Sequence, residues 1–315
     1  MISRQQNLET KKIEVSILII SYNVQKFLIQ CIQSILLYTN TKIKYEIIVI
    51  DNNSKDNTKR EIKKRYPLIN FIQNEKNIGF TKAMNQAINE SKGQYILQLN
   101  PDTELTEDSI SRLHSFLSSH NKPAILGPRI IDKYGKIQPS HWSNPTLFST
   151  VLNLSGFQSI INQFRKVENF TQPQKVDTIS GAAMFYQAST IKKLGLFNEN
   201  LFWDEDIDFC LRAEKKDYDI IFFPKTRLIH RKGESAKNNQ KVAISNQVLS
   251  KIKFFQTHHS LTSQRIILVF CIFIIPIKIL LLLLMIPFKY ESFKKAQAYF
   301  FTWKLLIKKD FSVQL

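Results

Sequence analysis

Glycine is scarce in this chain, 8 residues in 315, and none stands in the turn behind the first apolar run, VSILII at 15–20. That absence argues against the GxGxxG turn on which a nicotinamide cofactor rests its pyrophosphate, and so against an oxidoreductase on a doubly wound sheet. Cysteine is as sparse: Cys31, Cys210 and Cys271 are far apart and odd in number. They make no disulfide framework, suit a reducing compartment, and nothing around them marks a nucleophile. Acidic residues are outnumbered 26 to 44, which leaves a formal net charge of +18. It divides into +12 over residues 1–264 (36 basic, 24 acidic) and +6 over 265–315 (8 basic, 2 acidic). Both parts attract anions, but there is no zinc-ligand spacing, no aromatic-rich nucleic-acid signature and no single basic stripe. No nucleic acid partner is expected; phosphorylated small molecules and anionic lipid remain. The first residues, MISRQQNLETKK, are polar, and the apolar stretch behind them is short and broken by Glu14 and Ser16. The expectation is no secretory leader and a main domain in the cytoplasm.

What is present suits a folded protein. Apolar content of 43% and charged content of 22% are near the averages for soluble domains, and the length allows one large α/β domain plus an appendage. Four β-rich runs, VSILII at 15–20, YEIIVI at 45–50, INFIQ at 69–73 and QYILQL at 94–99, alternate with helical patterns at 24–38, 56–66 and 79–92. This is the rhythm of a parallel sheet. Polar residues follow each run: Ser21, Tyr22 and Asn23; Asp51, Asn52, Asn53 and Ser54; Asn77 and Gly79; Asn100 and Asp102. At the carboxyl ends of parallel strands such residues face ligands. Taken singly, each cluster serves equally well as a set of helix caps. Residues 140–175 carry Pro145 and Pro173 and have no readable period; they fit an acceptor-facing loop or plain surface. An acidic loop, a helix and a strand are expected over 203–224.

In this order the motifs resemble the family-2 glycosyltransferases, in particular the branch of rhamnosyl- and galactofuranosyl-transferase-like enzymes. The resemblance covers roughly residues 13–235. It is carried by Ser21-Tyr22-Asn23, IDNNSKDNT at 50–58, NIGFTKAMNQAI at 77–88, LNPDTEL at 99–105, SGAAMFY at 180–186 and EDIDFCLR at 205–212. It implies a GT-A (Rossmann-like), mostly parallel α/β sheet with flanking helices, and a nucleoside diphosphate sugar as donor. It implies donor contacts from Ser21, Tyr22, Asn23, Asp51, Asn53, Gly79, Asn100 and Asp102, with Asp51 at the nucleobase. A divalent metal, Mg²⁺ or Mn²⁺, falls to Asp102 and His230, because hard cations take carboxylate and phosphate oxygens. The usual DxD triplet is here Asn100, Pro101, Asp102, so the first carboxylate is missing. Asp102 also suits a cap for a helix near 106–118. On the acceptor side the resemblance points to Gly181, Ala182 and Trp203, with Asp206 as general base beside Glu205. Mutual repulsion within Asp204, Glu205, Asp206 and Asp208 raises at least one pKa. A helix start favoured by the macrodipole accounts for the same cluster. Gly233 and Ser235 complete an HxxGxS pattern behind His230.

Residues 266–288 form a run of 23, of which 18 are Ile, Leu, Phe or Val. Lys278 within it costs about 2.5–3.5 kcal/mol, against about 5–11 kcal/mol from the apolar residues, so the run favours the membrane. A single span and a shallow hairpin broken at Pro276 both fit, since basic residues flank both ends. The expected organisation is a polar tail (1–12), a transferase domain (13–235, its donor half 13–105 and acceptor half 106–235), a helical linker (236–264), a membrane-associated segment (265–290) and a basic amphipathic tail (291–315). The expected activity is inverting transfer, with rhamnose a plausible sugar, to a polyprenyl-linked or polysaccharide acceptor in cell-surface glycan assembly, at the cytoplasmic face of the cell membrane and among its lipids. A non-catalytic sugar-nucleotide-binding scaffold is the rival.

Overall fold

The computed structural model describes residues 12–156, 170–231, 240–285 and 291–311. The polar tail up to residue 11, Gly233, Ser235 and the last residues of the apolar run lie outside them. Among the described residues there are twelve strands: β1 Val15–Ser21, β2 Tyr45–Asp51, β3 Asn70–Gln73, β4 Tyr95–Leu99, β5 Thr103–Leu105, β6 Ala124–Ile131, β7 Ile137–Gln138, β8 His141–Trp142, β9 Gln174–Lys175, β10 Thr178–Ile179, β11 Ala183–Gln187 and β12 Asp219–His230. The helices are α1 Gln25–Tyr38, α2 Thr58–Arg65, α3 Phe80–Glu90, α4 Ser109–Ser119, α5 Leu147–Ser155, α6 Ser189–Leu194, α7 Glu205–Glu214, α8 Gln240–His258, α9 Leu261–Leu284 and α10 Glu291–Ile307.

The main sheet runs β3-β2-β1-β4-β11-β6-β12-β5. Its first four strands are parallel, as the alternating pattern predicts. Beyond β4 the directions mix: β11 is antiparallel to both β4 and β6, β12 is parallel to β6, and β5 is antiparallel to β12. Ser21 lies opposite Asp51, and Asp51 opposite Gln73. Three strands therefore end flush, and the residues after them share one edge.

β1 is buried on both faces, so alternate residues enter different cores. Val15, Ile17 and Ile19 pack with Leu28, Cys31, Ile32 and Ile35 of α1. Leu18 and Ile20 join a cluster containing Ala83, Met84 and Ala87 of α3 and Phe209 and Ala213 of α7. A third core is helical: Leu154 of α5, Leu249, Ile252 and Phe255 of α8, Ile267, Cys271 and Ile275 of α9, and Leu305 and Leu306 of α10.

α9 continues through Pro276 without the break that a hairpin at that residue requires. Proline has no N–H to give the carbonyl four residues back, that of Ile272. The indole N–H of Trp303 on α10 donates to this oxygen at 3.0 Å. A neighbouring helix thus supplies the missing donor, and the kink penalty is reduced. Residues 140–156 and 170–175 hold more order than their sequence announces. Thr146 and Ser149 make a reciprocal capping box that starts α5, with Ser in place of the Glu or Gln by which such boxes are read.

Candidate functional site

The flush ends of β1, β2 and β3 are knitted by side chains. Asp51 is fully buried; it accepts from the Ser54 N–H at 3.0 Å, the Ser54 hydroxyl at 2.5 Å and Gln73 Nε2 at 3.1 Å. Ser54 Oγ in turn accepts the Asn23 N–H, and Asn23 Oδ1 accepts the Lys55 N–H. Asn23 and Asn53 occupy left-handed backbone, φ 55 and 64, which asparagine tolerates better than most side chains. Tyr22 is exposed and Ser21 buried at this rim. Gly79 closes it at φ 85, where a side chain would be strained, as the residue before α3. Gln73, half-buried and bonded to Asp51, was not singled out by sequence.

The second edge lies at β5 and β12. Thr103 pairs in register with His230, which brings His230 Nε2 to 3.3 Å from Asp102 Oδ1. Asp102 does not cap the following helix; Asp108 does, accepting from the Ser111 N–H. The backbone oxygen of Asp102 accepts the Arg231 N–H at 3.0 Å. An open cavity of about 320 Å³ beside His230 is bordered by Lys26, Lys133 and Arg231 among others, so its rim suits anions. Among the described residues no three His, Cys, Asp or Glu side chains gather as a ready metal cage. Asp102 and His230 therefore fit a hard cation only if a ligand brings further oxygens, as a diphosphate does. Burial pushes the Cys31 thiol up to about 12, so it is no nucleophile.

The turn at Gly181 and Ala182 joins this edge to the acidic run. The Asn100 N–H donates to the Ala182 carbonyl at 2.9 Å, and the Gly181 N–H donates to Asp206 Oδ2 at 2.9 Å. Gln98 Nε2 holds the Gly181 carbonyl at 2.8 Å. A Cβ at Gly181 would stand 3.3 Å from Gln98 Nε2 and 3.4 Å from Asp206 Cβ, tight on both sides. Asp206 Oδ1 takes the Ile207 N–H at 2.9 Å.

Burial lifts the Asp206 carboxyl to about 6, against the pull of the Gly181 N–H, and the Asp204 charge adds to the rise. Burial, then the charge of Asp206, raises Glu205 well above the usual carboxylate range. Glu205 Oε2 has no hydrogen-bond partner. Asp208, grouped with these from sequence, differs: it pairs with Arg212 at 2.8 Å and His258 at 2.7 Å. Trp203 is half-buried, its backbone N–H donating to Ser250 Oγ at 3.1 Å. Ser250, Lys251 and His258, all on α8, were not legible as site residues. No local motif marks them, since their partners are 47 to 50 residues away.

Known proteins resemble this chain in sequence and in fold. The N-acetylglucosaminyl-diphospho-decaprenol L-rhamnosyltransferase of Mycobacterium tuberculosis is 24% identical over 238 residues, 68% of this chain and 75% of that protein. A crystal structure of S. aureus TarS residues 1–349 in complex with UDP-GlcNAc superposes with a TM-score of 0.54 at 17% identity, over 94% of this chain and 92% of that one. GalNAc-T7, crystallised with UDP, GalNAc and Mn²⁺, gives 0.54 at 19% identity, over 70% of this chain and 44% of its own. The two structures speak for the fold alone. The description "Glycosyl transferase family 2" matches residues 16–195, more than half of the chain, from the second residue of β1 to just past the end of α6. This protein therefore belongs to glycosyl transferase family 2 and is a glycosyltransferase.

Proposed function

We propose that this chain moves a sugar, with inversion, from a nucleoside diphosphate sugar to a hydroxyl of a lipid-linked or polysaccharide acceptor at the cytoplasmic face of a membrane. One observation carries the reading: the 181–182 turn is hydrogen-bonded to Asn100, two residues from Asp102, on one side and to Asp206 on the other. A leaving diphosphate at Asp102 and a base at Asp206 then flank a single backbone turn, with no covalent intermediate required.

Asp102 and His230 would hold a divalent cation, which supplies charge to offset the departing diphosphate. Asp206 accepts the proton of the acceptor hydroxyl as its oxygen bonds to the anomeric carbon. The bond from that carbon to the diphosphate oxygen breaks, and its electron pair leaves with the diphosphate. Glu205, whose carboxyl burial and the Asp206 charge raise well above the usual range, orients the acceptor. Ser21, Tyr22, Asn23, Asn53 and Gly79 form the nucleoside rim around Asp51, while Gly181, Ala182 and Trp203 line the acceptor side.

The name of the mycobacterial relative specifies a diphospho-decaprenol acceptor and L-rhamnose, which supports a polyprenyl diphosphate acceptor and deoxythymidine diphosphate rhamnose here. GalNAc-T7 was crystallised with Mn²⁺, which supports the metal. α9 supports the membrane: it is long and apolar enough to cross one. Its outward residues Ile266, Val269, Phe273, Ile277, Leu280 and Leu284 make an exposed stripe. We take residues 13–235 as the transferase domain and the helices behind it as its membrane seat.

Thermal stabilisation by dTDP-rhamnose and by UDP-GlcNAc, with and without Mn²⁺, tests the donor site. A metal-dependent rise with one of them is expected, followed by release of the nucleoside diphosphate in the presence of a polyprenyl diphosphate-linked sugar. Stabilisation without turnover in any acceptor assay would return the chain to a binding role.

A further inference from the structure

The acidic run that opens α7 is held from a direction the family description does not cover. Asp204 sits in left-handed backbone, φ 66, a strained conformation that persists only where the surroundings impose it. Its carboxylate takes Lys251 Nζ at 3.2 and 3.4 Å. Ser250 Oγ accepts the backbone N–H groups of Phe202 and Trp203, at 3.2 and 3.1 Å. His258 Nε2 meets Asp208 Oδ1 at 2.7 Å, with both side chains buried. Lys251 and His258 are seven residues apart on α8, so one helix face delivers both. The chain on both sides of the candidate base is thus pinned, before it at the 202–203 backbone and Asp204 and after it at Asp208.

We propose that Ser250, Lys251 and His258 are positioning residues, by which α8 holds residues 202–208 in the shape that presents Asp206 to the acceptor. This rests on the reading of Asp206 as general base. The C-terminal helices then belong to the working transferase as well as to its membrane seat.

The charges around the run make the role testable. Before α7 stands Asp204 and on it Glu205, Asp206, Asp208 and Arg212; from α8 come Lys251 and His258; and the 181–182 turn adds the Gly181 N–H. Lys251 neutralises Asp204, and the charge of Asp204 raises the proton affinity of Asp206. Removal of the lysine charge strengthens that repulsion, whereas a lysine that serves only as packing leaves it as it was.

The experiment uses full-length protein in detergent, labelled with fluorotryptophan. Three tryptophans are present, so fluorine NMR gives three lines, and Trp203→Phe assigns the one beside the acidic run. That line is expected to titrate near the Asp206 value of about 6. Lys251→Met should move the midpoint up by about half a unit to one unit, and Lys251→Arg should restore it. His258→Leu should raise amide exchange across 202–210 by about tenfold or more while β1 stays protected. A Trp203 line that does not titrate, or a midpoint and exchange unchanged in folded Lys251→Met and His258→Leu, overturns the proposal. The underlying reading fails separately: Asp206→Asn that removes the titration but keeps turnover discards the base and leaves the positioning role standing.

Discussion

Asp206 and Asp208 are two residues apart on one helix and have opposite environments. Asp208 is paired with Arg212 and His258, while Asp206 has only backbone donors and a raised pKa of about 6. Three consequences are measurable. Asp206→Asn should lower turnover by about a hundredfold to ten-thousandfold, and wild-type turnover should fall as pH drops through about 6. Its effect on stability has the unusual sign. The folded pKa is raised from 3.8, so the folded state binds the proton more tightly, and stability is lost as pH rises from about 4 through about 6. Asp206→Asn should therefore be more stable than wild type at pH 7, by on the order of 1–3 kcal/mol, with no gain below about pH 4. Thermal midpoints at the two pH values decide it; a less stable variant at pH 7 would mean the burial cost was misread. At the other edge, Asp102→Ala should abolish metal-dependent donor affinity in calorimetry and His230→Ala should weaken it less, because a carboxylate suits a hard cation better than an imidazole. The meeting of Asp102 and His230 comes from the pairing of β5 with β12, and in the sequence only the family resemblance pointed to it. The α8 contacts could not be foretold, since helix propensity leaves open which face of α8 meets which loop.

Among the elements, the parallel half of the sheet was legible because its strands are continuous apolar runs with alternating helices. The mixed half was not: β5, β9 and β10 span two or three residues each, too few for a period to show. The apolar run was legible as a helix, but its fate at Pro276 depended on Trp303, 31 residues beyond the Ile272 whose carbonyl it bonds. This yields a paired prediction. Trp303→Phe leaves the Ile272 carbonyl without its donor and should cost about 1–3 kcal/mol in detergent unfolding. Pro276→Ala restores a backbone N–H to that carbonyl, so the tryptophan substitution should be nearly harmless in its presence. A double-mutant cycle should give a coupling of about 1–2 kcal/mol; additive losses would show that the indole serves packing alone.

Across the molecule, the excess of positive charge and the apolar stripe of α9 suit the same proposed partner, a membrane surface. Lys294, Lys304 and Lys308 on or just after α10 are exposed beside Phe293, Phe300 and Ile307, a composition suited to an anionic headgroup layer. Full-length chain should sediment with membranes and stay there in high salt, since apolar burial is not screened. A chain that is monomeric without detergent would contradict this. Sequence alone suggests a cut before Arg265 to free a soluble domain, but α8 packs Phe254, Phe255 and Ile252 against α9 and α10. The cut should expose them and give aggregation rather than a clean domain. The ties from α8 to the acidic loop also set a rule for recombination between relatives. The family description ends at residue 195, which marks a tempting junction, yet the segment behind it is a matched set. A chimaera that takes α7 from one parent and α8 from another would part Asp204 from Lys251 and Asp208 from His258, so the acceptor half can be exchanged only together with the helices that seat it.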